Sequence, residues 1–65
     1  MMTDREIRRA ARRLLDRHGA AAAEIAAGRA EALAAAGDRD GHAAWLTIAA
    51  EIRALRAQAV PFAIC

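Results

Sequence analysis

Apolar and polar positions in the first 18 residues follow the period of an α-helix. The apolar residues share one side of that helix: Ile7, Ala10, Ala11, Leu14 and Leu15. Thr3 and Glu6 have the spacing of a capping box, in which each side chain binds the backbone N–H of the other residue. Gly19 stands where a glycine commonly ends a helix. The pattern therefore predicts a first helix over residues 4–18.

Two later segments also have helical patterns. Residues 20–36 are rich in alanine, the strongest helix former, and are followed by Gly37. Asp38 can cap a third helix over residues 39–59. The larger apolar side chains of that helix recur every three or four residues: Trp45, Ile48, Ile52 and Leu55. Residues 60–65 form an apolar C-terminal tail.

These elements predict an all-α fold, with one helical domain over residues 1–65. The second and third helices would form an antiparallel hairpin around Gly37 and Asp38. Apolar positions continue across Gly19 almost in phase, so a single helix kinked at Gly19 is a second interpretation. Since a long isolated helix would expose its apolar stripe, we favour three separate helices.

Composition changes this picture by weakening the expected core. Hydrophobic residues make up 57% of the 65-residue chain, but 21 of them are alanine, which buries little surface. A chain this short has little stability to spare. We therefore expect a helical-bundle homo-oligomer, in the simplest case a homodimer. The predicted interface with a second copy or another partner consists of larger apolar residues: Trp45, Leu46, Ile48, Ile52, Leu55, Phe62 and Ile64.

Positive charge is concentrated at the start of the chain. The net charge is only +2, yet residues 1–18 carry six arginines against three acids. These arginines lie opposite the apolar side of the first helix, and we call them the arginine face: Arg5, Arg8, Arg9, Arg12, Arg13 and Arg17. Pairs four residues apart repel by roughly 0.2–0.5 kcal/mol each. Such a face is typical of a solvated surface, and it also suits an anionic partner.

Two features of the sequence disfavour particular modes of nucleic-acid binding. No aromatic residue lies among these arginines, so stacking on single-stranded bases is disfavoured. A helix-turn-helix over residues 20–58 would bring Asp38 and Asp40 to the DNA, where carboxylates repel phosphates. An acidic membrane surface is the other form of this alternative.

Arg29 is a candidate buried charge. It lies near the centre of the predicted apolar side of the second helix, between Ile25 and Leu33. A charge facing a core is costly unless it is paired. Arg29 could extend past small alanines to water, pair with an aspartate, or face a partner.

No catalytic, cofactor or metal site is predicted. The chain lacks Ser, Tyr, Asn and Lys, and His18, His42 and Cys65 lie on separate segments. We therefore expect a protein that is not an enzyme and takes no small-molecule substrate. A single cysteine excludes an intrachain disulfide, and the charged first 18 residues do not resemble a signal peptide, so we expect a cytoplasmic location.

A spaced pattern runs from His18 to Leu55. Its residues are His18-Gly19, Ala22, Ala26, Arg29-Ala30, Leu33, Gly37-Asp38, Gly41, Trp45 and Ile48. This pattern resembles one found in short, Ala- and Arg-rich alphaproteobacterial helical proteins that have no assigned activity. The resemblance implies a small helical bacterial protein and supplies no site residues.

Two functional hypotheses follow. The first is a non-catalytic helical interaction module, a small adaptor or regulator that binds itself or another protein. The alternative is binding of nucleic acid or an acidic membrane surface through the arginine face. Salt separates the two, because phosphate binding weakens steeply as salt rises.

Overall fold

The computed structural model of the chain describes residues 3–59 and is all-α over this range. Its helices are α1 (Asp4–His18), α2 (Ala22–Ala35) and α3 (Arg39–Ala59). One turn of 3-10 helix, Gly19–Ala21, joins α1 directly to α2. The three separate helices expected from the sequence are therefore not confirmed: the chain forms one long helical run, bent at Gly19, and a second helix, α3.

The start of α1 follows from its sequence. The backbone N–H of Glu6 donates to the Thr3 hydroxyl at 3.2 Å, and the backbone N–H of Thr3 donates to Oε1 of Glu6 at 2.8 Å. The predicted capping box is thus confirmed. It satisfies backbone donors that the first turn of a helix would otherwise leave without partners.

The bend at Gly19 reverses the direction of the chain. Gly19 has a φ of 54°, a value that favours glycine. Beyond the bend, Ile7 from the start of α1 lines a groove with Ala44 from the start of α3. Leu15 from the end of α1 lies near Leu55 towards the end of α3. Helix α1 therefore lies along α3 and runs in the same direction.

A compact turn joins α2 to α3. Gly37 has a φ of 84°, and its N–H donates to the Ala34 carbonyl at 3.0 Å. The N–H of Asp38 donates to the Leu33 carbonyl at 2.9 Å, which completes a Schellman motif. The Asp38 carboxylate then accepts from the N–H of Gly41 at 2.9 Å, so Asp38 caps α3 as predicted.

Two contacts show that α2 and α3 are antiparallel. Nδ1 of His42, near the start of α3, donates to the Ala30 carbonyl of α2 at 2.9 Å. Nη1 of Arg56, near the end of α3, donates to the Ala20 carbonyl at 3.4 Å. The hairpin therefore turns back at residues 36–38.

The core lies where the bent run closes on α3. Its buried residues are Ala11, Leu14, Ala22, Ala23, Ala26, Ile48, Ala49 and Ile52. Ile48 and Ile52 are its largest fully buried side chains. Three alanines spaced by four residues, Ala22, Ala26 and Ala30, are fully buried on α2.

The buried side of α2 is rotated away from the predicted apolar side, which Arg29 was expected to share with Ile25 and Leu33. Both of these apolar residues are only partly buried. The distance between packed helices depends on the side chains at their contact, so small alanines allow α2 to approach α3 closely. Ile25 and Leu33 then lie at the margins of the contact. None of the helices described between residues 3 and 59 has the length and apolar character needed to cross a bilayer.

Candidate functional site

The arginine face covers the outer side of α1. All six arginines are exposed: Arg5, Arg8, Arg9, Arg12, Arg13 and Arg17. The opposite side of α1 packs into the core through Ala11 and Leu14, with Ile7 and Leu15 partly buried beside them. Packing of the apolar side therefore fixes the direction in which the arginines point.

One acidic side chain approaches this face from α3. Nε of Arg8 lies 3.9 Å from Oε2 of Glu51, and the two side chains are 72% and 30% exposed. An exposed pair at this distance contributes little to stability, about 0–1 kcal/mol. It is the only ion pair within residues 3–59, so the other five arginines have no acidic partner in that range.

The arginines spread widely around the helix. An α-helix turns by about 100° per residue, so Arg8 and Arg17 lie at opposite edges of a face that covers roughly half of the circumference. Arg5 and Arg9 lie near its middle, as does Asp16. From Arg5 to Arg17 the face extends about 18 Å along the helix axis.

Glu6 belongs to the cap and forms no ion pair with a described arginine. The backbone N–H of Thr3, and then its hydroxyl, lower the pKa of Glu6 below the ordinary value of 4.5. Hydrogen bonds to a carboxylate favour its charged form. Glu6 therefore stays ionised at neutral pH and holds the helix start.

The predicted apolar interface divides into three groups. Ile48 and Ile52 are 1% and 0% exposed, because α1 and α2 cover them within one chain. Their assignment to an intermolecular interface is therefore wrong for this arrangement, in which no second copy is needed to bury them. Trp45 and Leu55 are partly buried, while Leu46 is 47% exposed. The other two interface residues, Phe62 and Ile64, lie outside the described residues, as does the whole tail.

Arg29 is not a buried charge. It is exposed, and its guanidinium carbon lies 5.0 Å from the centre of the Trp45 ring. This is a cation–π contact, and no aspartate among residues 3–59 forms an ion pair with Arg29. The predicted position of Arg29 was wrong because Ala26 and Ala30 face α3, which leaves Arg29 at the edge of the contact between the two helices.

The two histidines lie on different helices and have different surroundings. His18 is exposed at the end of α1, while His42 uses Nδ1 to bind the Ala30 carbonyl. Cys65 lies outside the described residues. Among residues 3–59, no group of three or more His, Cys, Asp or Glu side chains is arranged to hold a metal ion.

A polar groove between the starts of α1 and α3 was not predicted from the sequence. Glu6, Asp38, Asp40 and Thr47 contribute to its lining. The groove exists because the bend at Gly19 brings α1 alongside α3. No local spacing signals this proximity, since Glu6 and Asp40 are far apart in sequence.

Comparisons with protein-family models, curated proteins and solved structures find no match for this chain. The resemblance to short alphaproteobacterial proteins therefore stays a prediction.

Proposed function

We propose that this protein is a non-catalytic helical interaction module whose arginine face binds an anionic macromolecular surface. One observation carries the proposal: six exposed arginines share the outer side of α1, and only Arg8 pairs with an acid within residues 3–59. Concentrated charge of one sign attracts a partner of the opposite sign. We place this function in the cytoplasm, in line with the single cysteine.

The apolar surface gives weaker support for docking. Among residues 3–59, Leu46 is the only large hydrophobic residue that is exposed, and about half of it is covered. Contact surfaces driven by apolar burial usually present a contiguous patch of a few hundred Å² or more. Exposed charge therefore supports a binding role for the described surface better than exposed apolar area does.

Binding to a column of heparin, a sulfated polyanion, tests the proposal. We expect Arg9→Glu/Arg13→Glu to elute at much lower salt than the wild type. The matched control is Arg39→Glu/Arg53→Glu, which changes two exposed arginines of α3 and alters the net charge equally. Equal losses in both variants would show that only net charge matters, and a wild type that does not bind would also contradict the proposal. Circular dichroism checks that each variant is folded.

Self-association is a second candidate, favoured by the exposure of Leu46 on α3. A second copy could cover this side chain and form a helical-bundle homo-oligomer. Light scattering behind a sizing column, with reductant present, should then give the mass of a dimer or larger species. Leu46→Gln should reduce that mass to the monomer's without loss of helix. A monomeric wild type would contradict this candidate.

A further inference from the structure

The apolar side of α1 is already occupied in the folded protein. Ala11 and Leu14 are 0% and 8% exposed, and Ile7 and Leu15 pack against the same core. An amphipathic helix binds a membrane by inserting its apolar side among the lipids. Helix α1 could do so only by leaving its core. The folded protein thus offers a partner the charged side of α1 alone.

The spread of the arginines favours a concave partner. On a flat anionic surface, only arginines near the middle of the face, such as Arg5 and Arg9, point directly at the partner. Arg8 and Arg17, at the two edges, point along such a surface rather than into it. A groove with negative charge on both walls would contact the middle and both edges.

The major groove of a nucleic-acid duplex has this shape. It is about 12 Å wide in B-DNA and admits an α-helix, with phosphates along both walls. We infer that the partner of the arginine face is a DNA duplex, with α1 lying in the major groove and Arg8 and Arg17 reaching opposite phosphate backbones. This inference rests on the proposed function and names the partner class.

Asp16 fits a groove better than a flat anionic surface. It lies near the middle of the arginine face, where a flat layer of negative charge would repel it. In the groove it would point towards the base edges, away from the phosphate walls. There a carboxylate can accept a hydrogen bond from the amino group of cytosine.

The test measures binding to a mixed-sequence duplex of about 20 base pairs, two helical turns, by fluorescence anisotropy over a range of salt. Each phosphate contact contributes about 0.9 to the slope of log K against log salt. The four arginines away from the middle of the face, Arg8, Arg12, Arg13 and Arg17, predict a slope of about −3.6 and a loss of affinity of about a hundredfold between 50 and 200 mM salt.

Two variants separate a groove from a flat surface. Arg8→Gln/Arg17→Gln changes the edges, and Arg5→Gln/Arg9→Gln changes the middle. In a groove, the edge variant should reduce the salt slope by about 2, whereas the middle variant should weaken binding with a smaller change in slope, because its arginines point towards the base edges. The control Arg39→Gln/Arg53→Gln should leave the slope unchanged. If the edge variant binds like the wild type while the middle variant does not, groove binding is excluded.

Arg8 also approaches Glu51, so the edge variant needs a check of its fold. Thermal melting followed by circular dichroism supplies this check. If the edge variant is destabilised, Arg17→Gln alone replaces it, because Arg17 forms no ion pair within residues 3–59. It should then lower the slope by about 1.

Two other probes identify the alternatives. Vesicles containing phosphatidylserine represent a membrane, and poly-glutamate represents an acidic protein. We expect the duplex to bind at least tenfold more tightly than either. Arginine-dependent binding to vesicles or poly-glutamate without binding to the duplex would overturn this inference and leave the proposed function intact. If no probe binds through the arginine face, both fail.

Discussion

Helix α1 and the α2–α3 pair use their residues in different ways. Six of the 15 residues of α1 are exposed arginines, and only Ala11 and Leu14 of this helix are buried. Helix α2 instead buries four alanines, and α3 supplies the largest buried side chains, Ile48 and Ile52. The comparison indicates a division of roles: the α2–α3 pair forms the scaffold, and α1 attaches to it to display charge.

The α2–α3 pair also has the more defined backbone connections. The Schellman motif at Gly37, the Asp38 cap and the His42 bond to Ala30 tie the two helices together. Helix α1 attaches to the scaffold through apolar contacts and the weak Arg8–Glu51 pair. Removing contacts from the scaffold should therefore affect the whole chain, whereas surface changes in α1 should affect binding more than stability.

The largest expected effect follows from Ile52→Ala. This change leaves a cavity where α1, α2 and α3 meet, and it should cost about 2–5 kcal/mol of unfolding free energy. Because a small domain has little stability in reserve, most of the helical signal should be lost on mild heating. Leu46→Ala, an exposed change on the same helix, should cost about 0.5 kcal/mol or less. Similar melting temperatures for the two variants would contradict this account of the core.

Two glycine substitutions within the scaffold should have opposite signs. Gly37→Ala places a side chain at a φ of 84° and should cost about 1–2 kcal/mol. Gly28 lies in the middle of α2 with open space around it, so Gly28→Ala should stabilise the protein by about 0.5–1 kcal/mol. Urea unfolding measures both. Destabilisation by Gly28→Ala would show that α2 packs differently from this description.

A smaller effect is expected at the margin of the scaffold. Arg29→Ala removes the contact with the Trp45 ring and should cost about 0.5–1 kcal/mol. Trp45 is the only tryptophan, so its fluorescence reports the change directly. Arg53→Ala, which lies away from that ring, is the control. Heparin binding should be unchanged in Arg29→Ala, because Arg29 is not part of the arginine face.

The smallest expected effect is a pH dependence of the stability that the Glu6 cap gives to the start of α1. The pKa of Glu6 is lowered in the folded protein, so its contribution to stability is present above 4.5 and is lost as pH falls through the lowered value. Glu6→Gln should remove this contribution. The difference in melting temperature between wild type and variant should therefore shrink as the pH falls below 4.5. A difference that stays constant with pH would contradict the role of the charged cap.

The features that the sequence predicted correctly are local ones. The Thr3–Glu6 box and the Asp38 cap depend on residues three positions apart, and each formed as expected. The outward direction of the arginines on α1 follows from helical periodicity, because every apolar residue of α1 lies on the other side. Such features need no knowledge of how the helices pack.

The features that it missed depend on packing between helices. Periodicity predicted an apolar side of α2 centred near Arg29, whereas the side that faces α3 is lined by small alanines. Their spacing of four residues was the available signal, since Ala22, Ala26 and Ala30 form one line along α2. The direction of the chain beyond Gly19 was left open, because the sequence allowed either a break or a kink there. A glycine marks a bend without giving its angle, so neither the burial of Ile48 and Ile52 within one chain nor the Glu6–Asp40 groove could be foreseen.

The most direct test of this division of roles is an NMR titration of the ¹⁵N-labelled protein with a short DNA duplex. Shifts should concentrate on the backbone amides of α1 and on the Nε–H groups of its arginines, while the amide signals of α2 and α3 stay unchanged. Shifts centred on Leu46 and Arg53 of α3, with α1 unchanged, would contradict this division of roles. The binding surface would then lie on the scaffold, and the arginine face would be no more than a solvated side of α1.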